Sequence, residues 1–146
     1  MSYHGRFTPK NPHKYRGDHN DIVYRSSWER AVFKWCDSQP EIIGWSSEEI
    51  VVPYRCQTDK EMHRYFVDLF IQFANGKTLL VEIKPQKQVT PPEKQKRVTR
   101  RYLGEVLTYA KNVSKWKAAE QYALDRGWAF EVWTENQLKA LGLKVL

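Results

Sequence analysis

From Tyr65 to Phe73 the chain is apolar or aromatic almost throughout, yet Asp68 stands in the middle of the run. A strand this apolar is one that a core covers, and an ionised carboxylate inside it needs a cation or several hydrogen bonds. The ordinary alternative is a core aspartate accepting hydrogen bonds or paired with Arg64 or Lys84. A second strand is expected over Lys77–Lys84, with Ala74-Asn75-Gly76 between the two as a hairpin turn. Leu79-Leu80-Val81 is apolar on both faces, as in a central strand covered on both sides, and six Trp and eight Tyr suggest a tightly packed α/β or α+β body. Glu82 and Lys84 alternate with Ile83 and so project from one face at the strand's end. Such a pair is often a plain surface ion pair; at the end of a central strand it points to a cleft.

Whether Asp68 meets Glu82 depends on the turn. A two-residue Asn75-Gly76 loop pairs residues whose numbers sum to 151 and sets Asp68 opposite Ile83. A three-residue Ala74-Asn75-Gly76 loop, with Gly76 left-handed, gives a sum of 150 and sets Asp68 opposite Glu82. Asn-Gly suits either turn. The three-residue loop is expected here, because that register joins the two carboxylates.

The remaining elements follow from punctuation. Residues 1–24, rich in Pro, Gly, Asn, His and Lys, read as an extended basic arm, and residues 25–146 as one domain. Ser26-Ser27-Trp28-Glu29 fits a capping box opening a helix with Trp28, Val32, Trp35 and Cys36 on one face. The Ser38–Gly44 stretch, with Pro40, ends that helix, and a strand follows around Glu49–Arg55. After a Gln86–Pro92 loop, helices are expected over Glu93–Lys111 and Ser114–Arg126, the latter closed by Gly127. Trp128–Trp133 reads as a buried strand and Glu135–Leu141 as a terminal helix.

The net charge is +7, and its distribution says more than its size. Lys87, Lys94, Lys96, Arg97, Arg100 and Arg101 against Glu93 give +5 between residues 85 and 101, and residues 1–25 give +3. The excess is therefore held by two segments, as phosphate contacts require. Cys36 and Cys56 lack CxxC spacing and read as reduced core thiols; His4, His13, His19 and His63 lack metal-ligand spacing, and His63 reads as structural. No apolar run reaches transmembrane length and the N-terminus lacks a signal-peptide core, so no membrane association is expected and the setting is a reducing cytoplasm.

Two adjacent carboxylates without His or Cys suit a hard, oxygen-preferring cation, Mg²⁺ or Mn²⁺. Such an ion acidifies water and neutralises charge at a phosphodiester, while Lys84 can position the attacking water. Glu29 is a candidate ligand for a second ion, although the capping box alone explains a glutamate there.

Glu29 on the first helix, Val67-Asp68, and Glu82-Ile83-Lys84 after 13 intervening residues resemble the PD-(D/E)XK nuclease superfamily. Tyr24–Glu29, His63–Asp68, Val81–Pro85 and Asn112–Ala119 together resemble two related groups: the head-completion nucleases of T-even-like tailed phages and the catalytic domain of TnsA-type transposon endonucleases. The resemblance implies a restriction-endonuclease-like α/β fold, a mixed central sheet flanked by helices. It also implies hydrolysis of double-stranded DNA with Mg²⁺, for which Mn²⁺ can substitute. The expected catalytic set is Glu29, Asp68, Glu82 and Lys84, with Glu29, Asp68, Glu82 and the Ile83 carbonyl as metal ligands. Lys87, Lys94, Lys96, Arg97, Arg100, Arg101, Lys115 and Lys117 are the expected DNA contacts, although Lys115 and Lys117 can equally solvate a helix face. In the phage setting it implies trimming of packaged DNA ends before tail attachment, head or portal proteins as partners, a host-cytoplasm or virion-head location, and a form compatible with a homo-oligomer. The rival readings are excision at transposon ends or junction resolution, and a non-catalytic DNA-binding assembly protein on the same fold.

Overall fold

The computed structural model describes residues 4–145. In chain order it comprises β1 (Gly5–Arg6), a 3-10 turn at Pro12–Lys14, β2 (Val23–Tyr24), α1 (Ser27–Ser38), β3 (Ile42–Ser47), β4 (Val51–Arg55), β5 (Met62–Phe66), β6 (Leu69–Phe73), β7 (Thr78–Ile83), α2 (Gln86–Val89), α3 (Arg100–Asp125), β8 (Ala129–Trp133) and α4 (Glu135–Ala140). The main sheet has the order β3-β6-β7-β8, antiparallel except for the parallel β7-β8 pair, so it is mixed. β4 and β5 form a separate hairpin, and β1 pairs with β2.

The sheet is apolar on both faces, which explains why Leu79-Leu80-Val81 shows no alternation. Leu69, Ile71, Leu79 and Val81 face a core with Val32, Phe33 and Cys36 of α1 and Leu138 of α4. Phe70 and Leu80 face a second core with Val52, Tyr54 and Tyr65 of the small hairpin and Ala119 and Ala123 of α3. Both cysteines are free and buried.

The β6-β7 turn has the three-residue form. Phe73 N–H donates to Lys77 O at 2.8 Å, Gly76 N–H donates to Phe73 O at 3.0 Å, and Gly76 has φ 91°. Leu69 pairs with Val81 and Phe70 with Leu80, the register expected for that turn, and just beyond the last pair Asp68 Oδ2 accepts from Ile83 N–H. A Cβ on Gly76 would meet nothing within 4 Å, so its requirement is purely conformational. We expect Gly76→Ala to cost about 1 kcal/mol in urea unfolding, and Gly76→Asn less, since asparagine tolerates the left-handed region.

Four expectations are corrected. The Tyr65–Phe73 run is two strands, not one: the chain leaves the β4-β5 hairpin at Val67-Asp68 and enters the main sheet at Leu69. At the switch, Glu48 N–H donates to the carbonyls of Val67 (3.2 Å) and Asp68 (3.3 Å), and Val67 N–H donates to Ile50 O (3.0 Å), so the break leaves the backbone satisfied. β3 occupies much of what reads as a helix-ending loop; it is an outer strand held by pairing with β6 and by Trp45, which is fully buried. A Cβ at Gly44 would lie 2.4 Å from Gln72 Oε1 and 2.6 Å from Arg16 Nε, so a larger residue would displace these two side-chain ends, which hydrogen-bond each other at 3.0 Å.

Third, the two expected helices after residue 93 are one, α3. Asn112 and Ser114 do not break it; Ser114 Oγ donates to Ala110 O (3.1 Å) and accepts from Gln57 N–H (3.4 Å). The helix starts later than expected because Thr99 caps it, its Oγ1 accepting from Tyr102 N–H at 3.1 Å. Fourth, Gln86–Val89 of the expected loop forms the single turn α2.

Within the described part of the arm, Asp37 at the end of α1 accepts from the backbone N–H groups of Lys10 (2.8 Å) and Asn11 (3.1 Å). Tyr15 packs edge-on to Trp45 at 4.8 Å, so these arm residues lie against the first core.

Candidate active site

The chain switches from one sheet to the other beside the end of β7, and there the predicted acidic residues come close enough for each to feel another's charge. Asp68 Oδ2 accepts from Ile83 N–H at 2.8 Å, while its Oδ1 accepts no hydrogen bond among the described residues. Glu82 is buried; its Oε2 accepts from the Tyr65 hydroxyl, and its Oε1 lies 3.7 Å from Lys84 Nζ. Ile83, the expected carbonyl ligand, ends β7. Lys84 is anchored by its N–H donating to Trp133 O at 3.0 Å.

Glu29 joins from the first turn of α1. Ser26 Oγ accepts from Glu29 N–H (3.1 Å), and Glu29 Oε1 reaches back to Arg25 N–H (3.0 Å), one residue beyond the cap. The capping explanation for Glu29 is thus satisfied by geometry. It does not account for where the charge goes: burial pushes the Glu29 carboxyl up, and the nearby Glu48 and Glu82 charges push it further.

Burial also pushes Asp68 well above the usual carboxylate range, with the Glu82 charge next. Glu82 is raised by burial, against the opposing effects of Tyr65, Lys84 and Lys115. Three carboxylates that are buried or half-buried, each biased toward its neutral form despite Lys84 and Lys115 nearby, favour further positive charge among them. The donor atoms are all oxygens, which fits a hard divalent cation and not a thiophilic one.

Lys115, on α3, places its Nζ 5.5 Å from the Tyr65 ring centroid. Burial lowers its pKa, while the Glu82 and Asp68 charges oppose that. Lys117, two residues on and so on the other side of the helix, is exposed. The other expected DNA contacts lie apart from the carboxylates: Lys87 on α2, Lys94, Lys96 and Arg97 in the exposed connection, and Arg100 and Arg101 in the first turn of α3. Two cations at a helix N-terminus oppose its dipole, an arrangement that an anionic ligand relieves. Arg101 Nε also pairs with Glu105 Oε1 at 3.3 Å.

Sequence reasoning missed three residues. Tyr65, which reads as core, holds Glu82. Glu48, between β3 and β4, has φ 56° and pairs with Arg25. Neither glutamate nor arginine has a local signature there; the only hint is that both abut segments that already read as chemical. His63 keeps its structural reading: it pairs with Asp59 at 2.7 Å and stacks on Tyr54 at 5.6 Å. Cys56 Sγ comes within 4.8 Å of their ligand atoms, but it is engaged by Thr58 Oγ1 at 3.0 Å, so each of the three already has a protein partner.

Residues 39–135 match the family model described as "TnsA-like endonuclease N terminal". The chain is 44% identical to the "Head completion nuclease" of Enterobacteria phage T4, over 99% of this chain and 99% of that protein. No solved structure matches it. The chain therefore belongs to the TnsA-like endonuclease family and is a full-length relative of the T4 head completion nuclease.

Proposed function

We propose that this protein is a metal-dependent endodeoxyribonuclease with a restriction-endonuclease-like fold, which hydrolyses phosphodiesters in double-stranded DNA. The observation that carries the reading is the β6-β7 register, which continued one step beyond Leu69–Val81 would bring Asp68 and Glu82 together, with Lys84 beside Glu82. Asp68, Glu82, Glu29 and the Ile83 carbonyl are the groups that would hold Mg²⁺, for which Mn²⁺ can substitute. Bound there, the cation would supply charge neutralisation at the phosphate and a more acidic water.

The chain's own groups do the rest. Lys84 Nζ donates to the attacking water and to the oxygens of the pentacovalent phosphorus. Tyr65 fixes one oxygen of Glu82, leaving the other toward Lys84. Water adds to phosphorus, one P–O ester bond breaks, and the leaving oxygen takes up a proton, giving a phosphate monoester and a hydroxyl end. Lys87, Lys94, Lys96, Arg97, Arg100, Arg101 and Lys117 bind backbone phosphates without reading sequence; Lys115 acts closer to the chemistry.

The T4 relative's name supports a role in completing phage heads. On our reading that role is trimming packaged DNA ends before tail attachment, with head or portal proteins as partners, in the infected cell or on the virion head. The TnsA-like match favours a second reading, cleavage at transposon ends, but the T4 relative is matched along its whole length. Supercoiled plasmid with Mg²⁺ provides the test. Wild type is expected to give open-circle and linear product, EDTA to stop it, and Asp68→Ala to lose about 1000-fold. Cleavage by neither would leave a non-catalytic DNA-binding assembly protein, and equal cleavage by both would sink the claim that this site does the cutting.

A further inference from the structure

Arg25 stands beside the carboxylate cluster and is held from two sides. Its backbone N–H donates to Glu29 Oε1 at 3.0 Å, and its Nη1 pairs with Glu48 Oε2. Its Nε and Nη2 have no partner among the described residues, and its side chain is 53% exposed. After Glu48, the carboxylates whose charges act on it are Glu29 and Asp68. A guanidinium with one nitrogen anchored and the others open is suited to grip a phosphate at two oxygens.

Glu48 is costly as a mere surface partner. Exposed ion pairs contribute little to stability, yet this glutamate adopts a left-handed backbone, φ 56°, which favours glycine. What holds it there is its N–H, shared between the carbonyls of Val67 and Asp68 at 3.2 and 3.3 Å. The backbone of Asp68 thus positions Glu48, and Glu48 positions Arg25. Lys84, just after β7, lies 3.7 Å from Glu82, and Lys115 on α3 feels the Glu82 and Asp68 charges, whereas Arg25 stands just before α1.

We propose that Arg25 binds the phosphodiester being cleaved, and that Glu48 is a positioning residue holding the guanidinium over the acidic cluster. The inference rests on the nuclease reading above. It is tested on the full chain with Arg25→Ala, Arg25→Lys, Glu48→Ala and the double variant, by steady-state plasmid cleavage with Mg²⁺ and by duplex binding with Ca²⁺ in place of Mg²⁺.

For Arg25→Ala, kcat falls about 100-fold while duplex affinity changes less than about fivefold, because the contact strengthens in the transition state. Arg25→Lys recovers little, since an ammonium cannot fork, and added guanidinium ion restores part of the Arg25→Ala rate. Glu48→Ala loses about tenfold, and the double variant is no slower than Arg25→Ala alone, because both changes remove one function. Cleavage by Arg25→Ala within about threefold of wild type overturns the proposal. So does a loss confined to KM, which marks a distant phosphate contact, or a double variant in which the losses multiply. Should Arg25→Ala fail to fold, Arg25→Lys, which keeps the charge, carries the same kcat criterion. A wild type that cuts nothing overturns the nuclease reading itself, and this inference with it.

Discussion

Asp68→Asn is expected to abolish cleavage while raising the melting temperature of the metal-free protein. The amide keeps an oxygen that can accept from Ile83 N–H, so the hydrogen bond at 2.8 Å need not be lost. What disappears is one of several like charges in a cluster that is poorly solvated. Burial and the Glu82 charge hold the Asp68 carboxyl well above its ordinary range. A carboxyl raised on folding favours the native state at low pH, below its unfolded value near 3.9, and loses that contribution as pH rises through the folded value. At pH 7.5 in EDTA the wild type therefore carries the penalty and the variant does not; near pH 4 the two converge. Relief of about 1–2 kcal/mol corresponds to a shift of several degrees in a domain of this size. Cleavage should fall about 1000-fold, the scale of a lost electrostatic contact at the reacting phosphate. Thermal melts across pH, with and without Ca²⁺, read both halves. Calcium should raise the wild-type midpoint and leave the variant's nearly unchanged. A variant less stable than wild type at pH 7.5 in EDTA would return Asp68 to the role of a core aspartate satisfied by hydrogen bonds.

The sequence made the chemistry more legible than the topology. The alternation around Glu82 and Lys84 is local, whereas the Asn75-Gly76 turn allowed two registers, and the one that joins Asp68 with Glu82 was chosen by the chemistry it permits. The sheet switch at Val67-Asp68 was hidden because an apolar run reads alike whichever partner pairs with it. β3 was obscured by Gly44, Ser46 and Ser47, poor strand formers whose place is decided by β6 and by the aromatic cluster around Trp45. Asn112 and Ser114 looked like a helix break; one is buried within α3, and the other bonds Ala110 in the preceding turn and Gln57 of a distant loop. Glu48 was invisible for a related reason: a left-handed glutamate acquires meaning only from the carbonyls of Val67 and Asp68, which fold onto it.

Glu29 carries two explanations at once, and the structure allows them to be separated. Its carboxylate accepts from Arg25 N–H at 3.0 Å, which alone would account for a glutamate in the first turn. Glu29→Gln retains an oxygen for that bond and removes only the charge. If Glu29 holds a cation, kcat falls about 100-fold, while the metal-free melting temperature stays level or rises, since burial already disfavours its ionised form. Glu29→Ala should lose activity similarly but also cost about 1 kcal/mol, the usual scale of a helix cap. If the glutamate only caps the helix, the order reverses: glutamine is silent in both assays, and alanine melts early yet cuts at nearly the wild-type rate once folded. The matched family region begins at residue 39, beyond Glu29, so membership alone does not assign it. The amide does, because it changes the charge presented to the cluster while leaving the helix start as it is.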